Sequence, residues 1–156
     1  MSRILLIKTS SLGDVIHNLP VASDIAARMP GVVIDWVVED AFADIPALHP
    51  RVSSVIPVAT RRWRSAPWRS ATWNEIGRFR RRLQSHNYDL VLDTQGLIKS
   101  AVIARLARGV RCGQDGTSAR EALAARFYDR AYPVARGRHA VVRNRELAAL
   151  ALGYVM

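Results

Sequence analysis

The segment Ile4–Val15, which reads ILLIKTSSLGDV, decides how the rest of the chain folds. Its apolar run Ile4–Ile7 stops abruptly at Lys8, and a bounded run of aliphatic residues is typical of a buried strand. Hydroxyl residues, Gly13 and Asp14 follow, and an amphipathic pattern begins one residue later. A carboxylate at a helix start is stabilised by free backbone N–H groups and by the helix dipole. The segment therefore predicts a strand, a polar turn and a helix N-terminus.

The polar turn lies where open α/β sheets bind ligands, outside the carboxyl ends of the strands. It contains no G-x-G-x-x-G fingerprint, no G-K-[ST] loop and no G-x-S-x-G elbow. Gly13 is expected to supply backbone angles that other residues avoid. Serine, glycine and aspartate are also ordinary turn and cap residues. The turn alone therefore leaves two interpretations of Asp14 open, a helix cap and a functional carboxylate.

The composition indicates a globular domain with a surplus of positive charge. The 156 residues suffice for one domain with a proper core, and 49% of them are hydrophobic. The formal net charge is +10, and Lys8 and Lys99 are the only lysines among 23 basic residues. The arginine guanidinium suits phosphate and carboxylate groups. A partner rich in negative charge is expected: nucleic acid, an anionic lipid surface or a phosphorylated substrate.

Two further features bear on location. The sequence has no apolar run of the roughly 18 residues that a membrane span needs, and its first residues read as a strand rather than as a secretory signal. Cys112 is the single cysteine, which excludes an internal disulfide framework and a cysteine-based zinc site. A reducing, cytoplasmic setting fits these features.

Strand and helix patterns alternate along the chain, which predicts an α/β fold with a Rossmann-like, doubly wound parallel sheet of about five to seven strands. Further strands are predicted at 32–38, 52–58, 90–92, 110–112 and 131–134. Helices are predicted at 15–29 with a kink or restart at Pro20, and at 41–48, 72–86, 97–107, 120–128 and 139–152. Residues 60–72 are expected to form an exposed loop, and Asn87-Tyr88 a turn.

Three polar segments leave the carboxyl ends of predicted strands. They are the turn Lys8–Asp14, the turn Asp93–Lys99 and the arginine-rich segment Arg61–Arg64. Because the carboxyl ends of parallel strands share one edge of the sheet, the three segments are expected to open onto one cleft. A carboxylate beside several arginines combines a general base with a clamp for anions.

Several blocks of the chain resemble one known family in order and spacing. They read KTSSLGDVIHNLP, DWVVEDAFADIP, VIPVATRRWR, YDLVLDTQGLIKSA and REALAARFYDR. Together they resemble the N-terminal domain of the lipopolysaccharide heptosyltransferase I family, which belongs to the ADP-heptose glycosyltransferases. The resemblance runs from Arg3 to about Tyr154.

The resemblance implies the N-terminal half of a GT-B glycosyltransferase, in which two Rossmann-like domains face each other across a cleft. In this family the N-terminal domain holds the acceptor, the Kdo inner core on lipid A, and the C-terminal domain holds the ADP-heptose donor. The reaction inverts the anomeric centre and needs no metal or cofactor. The family base falls on Asp14, and the basic residues for the acceptor's phosphate and carboxylates fall on Arg61, Arg62, Arg64 and Arg120.

Other residues keep two interpretations. Thr9, Ser10, Ser11 and Gly13 either contact the acceptor or serve only the backbone of the turn. Gln95 and Lys99 are further candidates for acceptor binding. In the same way, Trp63 and Trp68 either contact sugars or lipid or pack in the core. Residues 78–82 form a basic helix face, and Asp93 reads as a turn or cap residue rather than as a second acid.

Two expectations follow from the extent of the resemblance. We expect residues 1–156 to be a single acceptor-binding domain that lacks the C-terminal nucleotide-sugar domain and is inactive alone. We also expect a cytoplasmic protein, peripheral on the anionic inner face of the inner membrane. The residue after the R-R-W-R block is often lysine in relatives, and Ser65 in its place removes one cationic contact.

The alternative function is a basic, nucleic-acid-binding α/β module without catalysis. The net charge supports it, but no known docking motif is present and the arginines are spread over several predicted elements. We therefore expect no nucleic-acid partner.

Overall fold

The computed structural model describes residues 1–156 and contains one sheet of six strands, all parallel to their neighbours. The strands are β1 (Arg3–Ile7), β2 (Val33–Glu39), β3 (Val52–Val58), β4 (Asn87–Asp93), β5 (Arg108–Gln114) and β6 (Arg130–Tyr132). Their order across the sheet is β3-β2-β1-β4-β5-β6. This order is that of a Rossmann-like doubly wound sheet, so the predicted fold class is confirmed.

Helices cover both faces of the sheet. They are α1 (Leu12–His17), α2 (Leu19–Arg28), α3 (Asp44–Ala47), α4 (Thr60–Ser65), α5 (Ser70–Leu83), α6 (Ile98–Leu106) and α7 (Ala140–Leu152). Two 3₁₀ turns, Asp40–Phe42 and Ala122–Phe127, complete the set. None of the helices combines the length and the apolar character required to cross a bilayer.

The first strand is the centre of the core because its side chains alternate between two apolar clusters. Ile4 and Leu6 pack in the cluster that includes residues of α1, α2 and α7, whereas Leu5 and Ile7 pack in the cluster that includes residues of α5 and α6. All four side chains are completely buried. Burying an aliphatic side chain of this size stabilises a fold by about 1.5–3 kcal/mol, which makes β1 the main anchor of the sheet.

The sheet changes its direction of winding between β1 and β4. Ile7, the last residue of β1, pairs with Val37 on one side and with Asp93 on the other. The loops that leave β1 and β4 therefore separate at this point and leave a crevice, which is where open α/β sheets bind ligands.

The first helix differs from its predicted bounds. It begins at Leu12, with Ser11 as the N-cap residue and Asp14 as its third residue, rather than at Val15. Gly13 has no positive φ and is an ordinary helical residue, so the expectation of unusual backbone angles there was wrong. The predicted interruption at Pro20 is confirmed, because α2 restarts after Asn18 and holds the proline in its first turn, where no N–H is needed.

Three other local predictions were wrong. Residues 60–72 do not form a single exposed loop, since Thr60–Ser65 is helical. Residues 87 and 88 belong to β4 rather than to a turn, and Tyr88 is held there by a hydrogen bond from its hydroxyl to buried Asp35 at 2.8 Å. The helix predicted at 120–128 is present, but it is a shorter 3₁₀ helix, Ala122–Phe127, so only the predicted α-helical type and bounds were wrong.

Candidate active site

A polar cavity of about 110 Å³ opens at the carboxyl ends of β1, β4 and β5, beside the start of α7. All but one of its lining residues are polar or charged: Lys8, Asp14, Thr94, Gln95, Gln114, Arg120, Ala140, Arg143 and Asn144. We call it the Asp14 cavity. It contains one carboxylate and three basic side chains. The two turns Lys8–Asp14 and Asp93–Lys99 both contribute to it as predicted, whereas no residue of Arg61–Arg64 lines it, so the prediction of one cleft shared by all three segments was wrong.

Asp14 projects into this cavity from the first turn of α1. One carboxylate oxygen accepts a hydrogen bond from the backbone N–H of Ser11 at 3.1 Å, which is one half of a capping box. The side chain is half-buried and accepts no other hydrogen bond from the protein. The capping interpretation is therefore correct for one oxygen, while the other oxygen remains available to a ligand.

Lys8 is the buried basic residue of the Asp14 cavity. Its Nζ donates to the carbonyl oxygen of Thr94 at 2.8 Å. Burial lowers the pKa of Lys8 from 10.5 to about 8, against the opposing attraction of Asp93 and Asp14. The ammonium group is therefore still charged at neutral pH and contributes a positive charge beside the Asp14 carboxylate.

Thr9 and Gln95 hold the two turns together. The Gln95 amide oxygen accepts from both the backbone N–H and the hydroxyl of Thr9, each at 2.7 Å. Both residues are buried, so the Thr9 hydroxyl is already used inside the protein. Because two donors fix the orientation of the Gln95 amide, its NH₂ is the part that can donate to a ligand in the cavity.

A second basic cluster lies beside Ser10. Lys99 Nζ donates to the Ser10 hydroxyl at 3.2 Å. Burial lowers the pKa of Lys99, the charge of Glu39 opposes that shift, and Arg64 and Arg61 lower it further. Arg64 and Lys99 line the same surface groove, and the backbone N–H of Arg61 donates to Glu39. Neither Arg61 nor Arg64 forms an ion pair within the protein, so both can meet an external anion.

Glu39 explains why the arginine-rich segment is helical. It ends β2, is almost fully buried, and accepts from the Thr60 hydroxyl at 2.8 Å and the Arg61 backbone N–H at 3.3 Å. A carboxylate at this position neutralises free N–H groups and the dipole at the start of α4. The sequence analysis missed Glu39, although an acidic residue directly after the apolar run 36–38 was a usable signal.

Arg62 differs from its neighbours on α4. Its guanidinium forms ion pairs with Asp40 at 2.7 Å and with Glu75 at 2.6 Å. The hydrogen bonds to these two carboxylates raise the pKa of Arg62. The structure therefore places Arg64 in the same groove lining as Lys99 but pairs Arg62 with Asp40 and Glu75, and the predicted role of Arg62 in anion binding stays a prediction.

Arg120 and Arg143 line the Asp14 cavity from the other side. Arg120 is exposed and forms no ion pair, as expected for a residue that binds an external anion. Arg143 is fixed by donation to the carbonyls of Ser118 at 2.9 Å and Ala135 at 3.0 Å. The sequence analysis missed Arg143 because it followed only the apolar stripe of the last helix.

Ser11 and Gly13 lie on the exposed surface of the first turn. Nothing lies within 4 Å of the position that a Cβ on Gly13 would take, so packing does not require glycine there. Glycine is favoured instead at Gly96 in the second turn, where φ is +70° and a Cβ would come within 3.3 Å of the Arg120 backbone nitrogen.

Asp93 is completely buried behind the cavity. Its carboxylate accepts hydrogen bonds from the Tyr128 hydroxyl, from the Ser100 hydroxyl at 2.8 Å and from the backbone N–H of Gln95 at 2.9 Å. Burial raises the pKa of Asp93, and these donors oppose the shift. The expectation that Asp93 is a turn residue rather than a second acid agrees with this position, since no part of it reaches solvent.

The fold and the cavity define a Rossmann-like α/β domain with a ligand cleft at the point where the sheet reverses its winding. The chain belongs to glycosyltransferase family 9 (heptosyltransferase), whose family model matches residues 76–156. It is 57% identical over 153 residues to lipopolysaccharide heptosyltransferase 1 of Pseudomonas aeruginosa, covering 97% of this chain and 43% of that protein. For the protein of the same name from Escherichia coli K12, the identity is 52%, covering 97% and 48%.

Solved structures of heptosyltransferases share the fold of this chain. E. coli heptosyltransferase WaaC with ADP superimposes with a TM-score of 0.96 and 51% identity, covering 98% of this chain and 48% of that one. E. coli ADP-heptose LPS heptosyltransferase II shares the fold, with a TM-score of 0.71 and 21% identity over 95% of this chain and 40% of that one. The chain thus spans somewhat under half the length of the curated relatives it matches.

Proposed function

We propose that this domain is the acceptor-binding half of an inverting glycosyltransferase that transfers heptose from ADP-heptose to the Kdo inner core of lipid A. One observation carries the proposal: Asp14 presents a carboxylate with a free oxygen in a polar cavity, among Lys8, Arg120 and Arg143. The names of the relatives, lipopolysaccharide heptosyltransferase 1, supply the sugar and the glycolipid.

Asp14 would act as the general base. An acceptor hydroxyl is a poor nucleophile at neutral pH, and a carboxylate within hydrogen-bond distance takes its proton as the new glycosidic bond forms. Attack on the anomeric carbon from the face opposite the departing ADP inverts that centre, through an oxocarbenium-like transition state. One base is sufficient because the diphosphate leaves without protonation by a second residue.

The basic residues would bind the acceptor's anionic groups. Lys99 contacts Ser10 in the first turn, Arg64 shares a groove lining with Lys99, Arg61 forms no ion pair within the protein, and Arg120 lies in the Asp14 cavity itself. Arginine binds phosphate and carboxylate through paired hydrogen bonds, so these side chains would orient the Kdo and phosphate groups. The Gln95 NH₂ and the hydroxyls of Ser10 and Ser11 are the neutral donors that remain for the sugar.

The donor site is a separate part of the proposal. We propose that residues 1–156 form one acceptor domain, and that ADP-heptose binds to a second domain of a longer protein. We further propose that the enzyme is peripheral on the cytoplasmic, inner face of the inner membrane, because its proposed acceptor carries a lipid anchor. The surplus of ten positive charges supports contact with such an anionic surface.

The test is Asp14→Asn in a full-length protein that carries this domain. Asparagine keeps the size of the side chain and can still accept from Ser11, but it cannot take a proton. We expect kcat to fall by about 10²–10⁴ while acceptor binding and the melting temperature stay close to wild type. Asp44→Asn, at the exposed start of α3, is the matched control and should leave kcat unchanged. Near-wild-type kcat in Asp14→Asn would refute the proposed base.

A further inference from the structure

An apolar groove of about 400 Å³ runs between α4, α5 and α6, on the side of Lys99 away from the Asp14 cavity. Most of its lining is hydrophobic, and the residues that form its walls are Trp63, Pro67, Trp73, Ile76, Val102 and Leu106. We call it the Trp73 groove. Its volume lies in the range of small-molecule ligand sites, so it is large enough for part of a lipid.

The groove exposes hydrophobic surface that a soluble domain would ordinarily cover. Trp73 is 61% exposed and Val102 42% exposed. Trp73 Nε1 donates to the carbonyl oxygen of Pro67 at 2.7 Å, which fixes the indole while its ring faces outward. Trp68, which follows Pro67 in the chain, is 77% exposed. Concentrated apolar exposure of this kind marks a binding surface.

One end of the groove is basic and joins the proposed acceptor site. Arg64 and Lys99 both line the groove, and Lys99 also donates to Ser10 in the turn that carries Asp14. A single bound molecule could therefore place hydrocarbon between Trp73 and Val102 and an anionic group on Arg64 and Lys99. The same molecule could extend a hydroxyl toward Asp14. A ligand with these three parts is an anionic glycolipid.

We propose that the Trp73 groove binds an acyl chain of the glycolipid acceptor, with the adjoining phosphate on Arg64 and Lys99. This inference rests on the proposed function, because it names the part of the same acceptor that lies beyond the sugars. Charge complementarity and continuity with the Ser10 turn favour this occupant over a second copy of the chain. A second copy would bring the same positive charge to the same edge.

The proposal is tested with octyl, decyl and dodecyl phosphate, each below its micelle-forming concentration, and with inorganic phosphate. Trp63 and Trp73 line the groove, so tryptophan fluorescence reports binding. A fully buried methylene strengthens binding by up to about fourfold. We expect dodecyl phosphate to bind at least about tenfold more tightly than octyl phosphate, since the groove is open and burial is partial. Equal affinities across the series would overturn the proposal.

Val102→Asp places a carboxylate in the groove without removing a buried side chain. It should reduce the dependence on chain length to less than about twofold between octyl and dodecyl phosphate. Leu123→Asp makes the same change at another exposed aliphatic residue, 55% exposed and outside the groove, and should leave the series unchanged. An unchanged series in Val102→Asp would place the hydrocarbon elsewhere and contradict the assignment.

Two further outcomes identify other occupants. In the first, the protein binds anionic phospholipid vesicles, but its affinity for alkyl phosphates in solution does not depend on chain length. That result would assign the groove to the bilayer surface. A dimer in sedimentation that Val102→Asp dissociates would assign it to a second copy, and either result overturns the proposal. None of these measurements uses heptose transfer. A result that contradicts the assignment of the groove can therefore be distinguished from one that contradicts the proposed general base.

Discussion

The turns after β1 and β4 resemble each other in sequence and differ in what their aspartates can do. Each joins a buried strand to a helix and is flanked by one aspartate: Asp14 is the third residue of α1, and Asp93 is the last residue of β4. Asp14 accepts one hydrogen bond from the protein and lines a cavity. Asp93, by contrast, is completely buried and accepts from Tyr128, Ser100 and two backbone N–H groups.

The difference shows that the availability of a carboxylate depends on its hydrogen-bond partners more than on its place in a turn. The donors around Asp93 occupy its oxygens and leave none for a substrate. The space for this arrangement comes from Gly113 in β5, because a Cβ there would collide with the ring of Tyr128. Asp14 has only the Ser11 N–H within the protein, so a ligand can reach its second oxygen. We expect one aspartate to serve stability and the other to serve function.

The largest expected effect is the loss of stability in Asp93→Ala. The substitution leaves the Tyr128 and Ser100 hydroxyls buried without their acceptor and removes the negative charge facing Lys8. Removing one partner from a buried charged network costs about 3–5 kcal/mol of unfolding free energy. Asp14→Ala is the control and should cost only about 1 kcal/mol, the usual effect of losing a helix-cap interaction. Urea unfolding of both variants measures the difference.

If the two variants lost equal stability, the two aspartates would not differ as the hydrogen bonds indicate. Asp93→Asn sharpens the comparison, because its amide oxygen can still accept from Tyr128 or Ser100. We expect it to be less destabilising than Asp93→Ala.

The second prediction concerns the charge of Lys8, which lies between the two aspartates. Its pKa is about 8 in the folded protein and 10.5 ordinarily. Between these values the unfolded chain binds more protons than the folded one, so the Lys8 contribution makes stability rise with pH. Over this range the gain approaches about 3 kcal/mol at most, since one pKa unit corresponds to about 1.4 kcal/mol.

Lys8→Met provides the reference for this measurement. Other groups that titrate at alkaline pH are present in both proteins, so their contributions cancel in the difference. We expect the unfolding free energy of wild type minus that of Lys8→Met to be flat below about pH 7 and to rise up to about pH 10. A flat difference curve would mean that Lys8 is more solvated than its burial indicates.

The fold was largely predictable because β1 is a short apolar run bounded by polar residues and β2 and β3 are rich in valine and isoleucine. These patterns are present in the sequence itself, and the parallel order follows from helices between successive strands. Helix α4 was not predictable in the same way. Its residues TRRWRS show no apolar period, and it forms because Glu39, distant in sequence, accepts from Thr60 and the Arg61 N–H.

The candidate site was predictable only in part. The pattern of strand, turn and helix indicated Asp14 and the edge of the sheet on which it lies, and the resemblance pointed to Arg120. The sequence did not predict that Arg143 and Gln114 line the cavity, because their positions depend on packing between α7 and β5. Thr9 was predicted as either a contact or a turn residue, and the structure shows that its hydroxyl is bonded to Gln95. Sequence patterns indicate where polar groups gather, but not which of them bond to each other.

The smallest expected effect separates two arginines on the same helix, Arg62 and Arg64. Arg62 is paired with Asp40 and Glu75, whereas Arg64 has no acidic partner and lies with Lys99. A guanidinium that is already bonded to two carboxylates has few free N–H groups for an external anion. In the same way, the carboxylate of Asp93 has no free oxygen for a substrate hydroxyl. We therefore expect Arg64→Ala to weaken the binding of inorganic pyrophosphate about two- to fivefold, the effect of one exposed ion pair.

Arg62→Ala is the matched control, with the same change of charge two residues away, and should alter the pyrophosphate affinity by less than about twofold. Calorimetric titration at two salt concentrations makes the comparison sharper. Added salt screens exposed pairs, so the difference between the variants should shrink as the ionic strength rises. An equal loss in both variants would mean that pyrophosphate responds only to the net charge of the domain. In that case the ion pairs of Arg62 would not set which arginines on α4 are available to the acceptor.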